Sequence, residues 1–186
     1  VCAVCFCMHC FSVAVAQGAQ PPQILILHSY HKGYAWTDNI MRGLDRVFDK
    51  ELEDAEIFVE YLDTKRHPPL EVFSRLLPLY KEKYEGVHFD AIVTSDDNAL
   101  TFLLVVRNEL FPDVPVVFCG INDVQMYDID QNRGFTGVVE DFDLRSTIDI
   151  ALALHPDTDT IYAVSDTTPS SIANYQRMKQ IQDEYS

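Results

Sequence analysis

The apolar run Ile24-Leu25-Ile26-Leu27 is followed at once by His28-Ser29-Tyr30-His31-Lys32-Gly33-Tyr34-Ala35-Trp36-Thr37-Asp38, and this pair of segments constrains the fold most. Four consecutive apolar residues leave no face for solvent. That is the pattern of a strand buried on both sides of a parallel sheet. Residues after such a strand lie beyond its carboxyl end, where open α/β folds hold their ligands. The cluster suits a small polar guest: it offers hydroxyls, two imidazoles, an indole, and a glycine that lets backbone come close. Its plainer role is to cap the next helix, with Thr37 or Asp38 as N-cap.

Strand-like and helix-like segments then alternate. Strands are expected at Gln23–His28, Glu56–Leu62, Ala91–Ser95, Val114–Cys119, Thr136–Glu140 and Thr160–Ser165. A helix from about Asp38 to Glu53 would carry the stripe Ile40, Met41, Leu44, Val47 and Phe48. A second starts near Pro69, a good first-turn residue, with a kink or early end expected at Pro78. Further helices are expected over Asn98–Leu110, over Leu144–Leu154 behind an Asp143 cap, and from Thr168-Pro169 onward. The loop from Gly120 to Gly134 is long enough to carry function or one short helix. Regular β-α-β alternation with right-handed crossovers gives an α/β fold, a doubly wound parallel sheet.

The 186 residues carry a net charge of −15, and none of it lies in the first sixteen. So acidic a chain is unsuited to nucleic acid or to anionic membrane surfaces. Val1–Ala16 is apolar and ends in Ala14-Val15-Ala16, like the core and cleavage site of a secretory signal whose basic start is clipped. Cys2, Cys5, Cys7 and Cys10 fall inside it, where no folded framework would support a metal centre. Cys119 is then the one cysteine of the mature chain, which is expected to be exported. The expected division is residues 1–16 as signal, 17–138 as a first α/β lobe, and 139–186 as crossover and start of a second.

The polar residues follow a positional rule. Ser29 and Tyr30 follow the first strand, Ser95-Asp96-Asp97 end and follow the third, Asn122 follows the fourth, Glu140 the fifth and Asp166 the sixth. In a parallel sheet these ends share one rim, and with strand order 2-1-3-4-5 the switch point lies between the first and third strands. Such a rim offers hydroxyls, helix-start N–H groups, and carboxylates for an ammonium group. Asp96 and Asp97 equally suit a helix cap. Paired carboxylates also serve metal-dependent enzymes, so a doubly wound enzyme using Asp96-Asp97 is the rival class. Yet no phosphate-cradling glycine turn and no Gly-x-Ser-x-Gly is present. Cys119 with His28 or His31 would make a thiolate–imidazolium pair, but a lone strand cysteine more often packs as a small hydrophobe. Lys65-Arg66-His67 reads as a solvated turn. No catalytic constellation, metal-ligand set or cofactor motif emerges.

Several stretches together carry a family likeness: Ile24-Leu-Ile-Leu-His-Ser-Tyr-His-Lys-Gly-Tyr-Ala-Trp-Thr-Asp-Asn-Ile-Met-Arg-Gly-Leu44, Glu60-Tyr-Leu-Asp-Thr-Lys65, Phe89-Asp-Ala-Ile-Val-Thr-Ser-Asp-Asp97 and Pro115-Val-Val-Phe-Cys-Gly-Ile-Asn122. With them the chain resembles the ABC-transporter substrate-binding-protein-like family. More narrowly, it resembles the extracytoplasmic sensor domains found ahead of bacterial membrane histidine kinases and diguanylate cyclases. The resemblance implies a type I periplasmic-binding-protein fold of two lobes, the second truncated here, with ligand in the cleft. It implies cleft residues Ser29, Tyr30, Trp36, Ser95, Asp96 and Asn122 from the first lobe, Glu140 near the crossover and Asp166 facing them. The partners it implies are a small molecule and an attached membrane and kinase module or an ABC permease; the aromatic and acidic groups themselves suit an amino acid or other small amine. A second copy of the chain is a further candidate partner. No nucleic acid, metal or cofactor is expected.

Overall fold

The computed structural model describes residues 20–129 and 134–185. The signal-like segment, its four cysteines and residues 130–133 of the long loop lie outside the described residues. Five strands, β1 (Gln23–His28), β2 (Glu56–Tyr61), β3 (Ala91–Ser95), β4 (Val116–Ile121) and β5 (Phe135–Val139), form one sheet. Its order is β2-β1-β3-β4-β5, every pair parallel. The switch point therefore falls between β1 and β3, as the alternation implied. In register, His28 lies opposite Ser95 on one side and Tyr61 on the other, which brings the ends of three strands level.

The helices are α1 (Ala35–Glu51), α2 (Pro69–Lys83), α3 (Asp96–Leu110), α4 (Leu144–Leu154) and α5 (Pro169–Ile181). Leu25 and Leu27 of β1 join Ile92, Val116 and the inner faces of α2 and α3 in one core, where Tyr80, Phe89 and Phe102 are almost wholly buried. Burial of side chains this large, at about 25 cal/mol per Å² of apolar surface, is the main force holding the sheet to these helices. Tyr80 and Tyr84 keep their hydroxyls satisfied by donating to Glu60, at 3.2 and 2.5 Å. A buried phenol left unpaired would be costly.

Four expectations need correction. First, α1 begins at Ala35, and neither Thr37 nor Asp38 is its cap: Tyr34 is, while Asp38 accepts from the Gly33 N–H at 2.9 Å. Gly33 takes φ +90°, a left-handed turn that sets the helix going earlier than the sequence implied. Of the expected α1 stripe, Val47 is exposed and the other four are half-buried. Second, α2 runs through Pro78 to Lys83 without ending there. Third, β4 starts two residues late and continues to Ile121, so the long loop is shorter and holds a 3₁₀ turn at Val124–Met126, where Asp123 accepts from the Gln125 N–H.

Fourth, Thr160–Ser165 is not a strand. It is exposed and pairs with no neighbour among the described residues, and a strand without a partner leaves its backbone groups to solvent. The sixth strand end expected to carry Asp166 to the rim therefore does not form. The caps at Asp143 and Thr168 do form: Asp143 accepts from the Ser146 N–H at 2.9 Å and Thr168 from the Ser171 N–H at 3.4 Å.

Candidate functional site

At the carboxyl ends of β1, β3 and β4 the sheet opens into a cavity of about 240 Å³. Two groups of polar residues surround it. One group is consumed by the fold, and the other is left facing the space.

Ser29 belongs to the first group. Its Oγ donates to the Ser95 carbonyl at 2.7 Å and accepts from the Ala99 N–H at 2.8 Å, and it has no exposed surface. Ser29 thus caps α3 from a neighbouring strand, a duty the sequence assigned to Asp96 or Asp97. Ser95, also buried, has its Oγ 2.8 Å from His28 Nδ1. Burial holds the His28 imidazole down to about 4, against a partial pull upward from Asp38. Asp97 accepts from Asn122 Nδ2 at 3.1 Å and from the Tyr127 hydroxyl at 2.9 Å. With both oxygens engaged, Asp97 braces α3 against the β4 end rather than facing a guest.

The second group lines the cavity. Tyr30 and Tyr34 meet edge to face at 5.3 Å, and Lys65 Nζ sits 4.7 Å from the Tyr30 ring centroid. Trp36, on the first turn of α1, donates from Nε1 to Asp96 Oδ1 at 2.8 Å. Asp96 is 4% exposed, and among the described residues its Oδ2 finds no hydrogen-bond partner. Its backbone sits at φ +68°, a left-handed conformation that L residues rarely hold without a compensating reason. Gly120 makes room for it: a Cβ there would come within 3.2 Å of Asp96 Oδ1. Burial pushes the Asp96 carboxyl up to about 7, and the Asp97 and Glu140 carboxylates add to the rise. The Trp36 and Ser95 hydrogen bonds work against it.

The far wall comes from α5. Asn122 Nδ2 donates to Ser170 Oγ at 3.0 Å, Ser170 shares the lining with Tyr30, and Asn174 presents a buried Oδ1 that also lacks a partner. Ser170 and Asn174 are four residues apart and so share one helix face. Arg177, one turn further along, donates from Nη2 to the Asn122 carbonyl at 2.6 Å and from Nη1 to Asp141 at 3.2 Å, which ties α5 to the rim.

Of the eight residues expected at the site, five border the cavity: Tyr30, Trp36, Asp96, Asn122 and the exposed Glu140. Ser29 and Ser95 lie beneath it as scaffold. Asp166 does not border the cavity; it accepts from the Thr168 hydroxyl at 2.7 Å and N–H at 2.8 Å, which, with a smaller pull from Lys65, lowers its carboxyl to about 2. Lys65, Tyr34, Ser170 and Asn174 were not anticipated. Lys65 was detectable as the last residue of the Glu60–Lys65 motif, whereas Ser170 and Asn174 needed the docking of α5. Cys119 is half-buried and its thiol is pushed up to about 11 by burial, with Asp96 contributing, the reverse of an activated thiolate. Among the described residues no group of three or more His, Cys, Asp or Glu is placed to hold a metal ion. No helix there is long and apolar enough to cross a membrane.

The chain is similar in fold to the ligand-free, open structure of CD0873, a substrate binding protein with adhesive properties from Clostridium difficile. The two align with a TM-score of 0.56 at 12% identity, over 86% of this chain and 54% of that one. The chain thus spans about half the length of that protein. No family model matches the sequence. No curated protein matches it.

Proposed function

We propose that the chain is the ligand-binding part of an extracytoplasmic sensor, the portion of a bacterial transmembrane receptor of the histidine-kinase type that meets a small molecule. One observation carries the ligand-binding reading: Asp96, nearly fully buried and with one carboxyl oxygen lacking a partner, borders a cavity at the switch point of a parallel sheet. A group of that kind is what a guest's donor would complete. Three aromatic side chains, a carboxylate at the base and Lys65 on one wall fit an amino acid or another small amine. We read the region as one that binds rather than catalyses; the engagement of Asp97 by Asn122 and Tyr127 weighs against the rival enzyme built on Asp96 and Asp97. An exported location and the link to a membrane module rest on the family resemblance.

A second reading is a soluble binding protein serving an ABC permease; the fold shared with the substrate binding protein from Clostridium difficile is compatible with both readings. In both, ligand would act through its higher affinity for one arrangement of the walls. The test is a thermal-shift panel of amino acids, amines, nucleosides, sugars and carboxylates against the purified chain. Binding to the folded state alone raises Tm with concentration. A saturable rise that disappears in Trp36→Ala is expected, and a flat response to the whole panel would sink the small-ligand reading.

A further inference from the structure

We propose that this cavity takes up a cationic amine in exchange for a proton held by Asp96. The inference rests on the ligand-binding reading above and adds to it a chemical class and a control by pH.

The geometry is that of a carboxyl with two unequal oxygens. Oδ1 is fixed by the Trp36 indole N–H and backed by Gly120, while Oδ2 is enclosed and unpartnered. An ionised carboxylate accepts at both oxygens, and a neutral acid must donate from one of them. At Oδ2 nothing accepts, so in the empty cavity neither form is fully satisfied, and desolvation favours the neutral one. An ammonium group arriving at Oδ2 reverses that preference by supplying both donor and countercharge.

The surroundings favour the same exchange. From the β3–α3 corner come Ser95 and Asp97, from beyond β5 Glu140, and from β4 Cys119 and Asn122. From α1 comes Trp36, and from α5 the uncharged Ser170 and Asn174. From the loops after β1 and β2 come Tyr30, Tyr34 and Lys65. His28, beneath Ser95, is neutral above about 4. Among these described groups Lys65 is the cation, and it lies over the tyrosine rings. The carboxyl is accordingly raised to about 7, so the exchange operates near neutrality. Asn174 Oδ1, unpartnered on the opposite wall, is a second acceptor for the same ammonium group.

Trp36 is the chain's single tryptophan, so its emission reports on Asp96 directly. The experiment has two arms on the same protein. The first follows Trp36 emission from pH 5 to 9 without ligand, in the wild type and in Asp96→Asn. A transition centred near 7 that is absent in the variant is expected; an identical pH response in both would overturn the proton site. The second measures binding of primary alkylamines from methylamine to butylamine, all cationic over that range.

Affinity should rise about tenfold per pH unit below the transition and level off above it, with a flat profile in Asp96→Asn. Amine binding that is the same at every pH would overturn the exchange while leaving the amine reading in place. A panel in which no amine binds but a sugar or carboxylate does would overturn this proposal and leave the ligand-binding function standing.

Discussion

Ala91-Ile92-Val93-Thr94-Ser95 and Thr160-Ile161-Tyr162-Ala163-Val164-Ser165 are the same kind of sequence, and the molecule treats them oppositely. Each is rich in β-branched residues, and each ends in serine followed by aspartate. The first is β3, hydrogen-bonded to β1 and β4, with Ile92 wholly buried. The second has no regular structure, pairs with no strand among the described residues and is exposed, with Tyr162 at 87% and Val164 at 97%. Strand propensity is a fit to a pleated, half-buried surface, so it yields a strand only where neighbours supply that surface. Before residue 140 each strand has a partner; beyond it the described residues offer α4 and α5 and no sheet. The site sits at the join, its floor from the first region and one wall from the second.

The comparison breaks most plainly at the centre of the sheet. Leu25→Ala removes a fully buried side chain from between β1, α2 and α3. It should cost about 2–5 kcal/mol in urea denaturation, the usual range for such a deletion in a core that cannot collapse around it.

Next in size is a pH effect that two buried groups now hide from each other. His28 has a folded value of about 4, below its ordinary 6.5, so its contribution is present above 6.5 and is lost as pH falls toward 4. Asp96 has a folded value of about 7, above its ordinary 3.8, so its contribution is present below 3.8 and is lost as pH rises through 7. Between pH 4 and 7 the two slopes oppose, and wild-type stability should be nearly flat. Asp96→Asn removes one of them. The variant should then lose about 3 kcal/mol on going from pH 7 to pH 4, the size expected of a buried histidine shifted by that much. It should also be more stable than the wild type at pH 8. A flat profile in the variant would show that His28 is not the opposing group.

Below that comes Ser29→Ala, which removes the buried hydroxyl that accepts from the Ala99 N–H and donates to the Ser95 carbonyl. A loss of about 1–3 kcal/mol is expected in the same denaturation measurement, with the start of α3 losing hydrogen-exchange protection. Ligand binding should weaken only through that loss of order, because Ser29 does not face the cavity.

The parts of this fold that were legible in the sequence are those set by local pattern. The β1 run, the alternation, the switch point and the Asp143 and Thr168 caps all follow from residues close together in the chain. Tyr30, Trp36 and Asp96 were legible because strand ends converge in any parallel sheet. What escaped was set at long range. Ser29 looked like a ligand hydroxyl, and only its distance to Ala99, seventy positions away, shows it to be a cap. Asp166 looked like a rim residue, but the strand that would have carried it there has no partner. Ser170 and Asn174 reach the cavity through the docking of α5, held in part by Arg177 on the Asn122 carbonyl, and no periodicity encodes that contact.

The smallest effect is the sharpest check on the opening contrast. Val164→Ala should change stability by no more than about 0.5 kcal/mol, the range for surface substitutions away from special features. Ile92→Ala, a β-branched residue truncated within β3, should fall in the range given for Leu25. A substantial loss for Val164 would mean that the segment is covered in solution and that its strand-like composition is answered by a neighbour. A negligible one would show that identical propensity has been left without a sheet to join. Hydrogen exchange gives the same answer residue by residue: amides of Ala91–Ser95 should be protected to near the global unfolding free energy, and those of Thr160–Ser165 should exchange at close to the free rate.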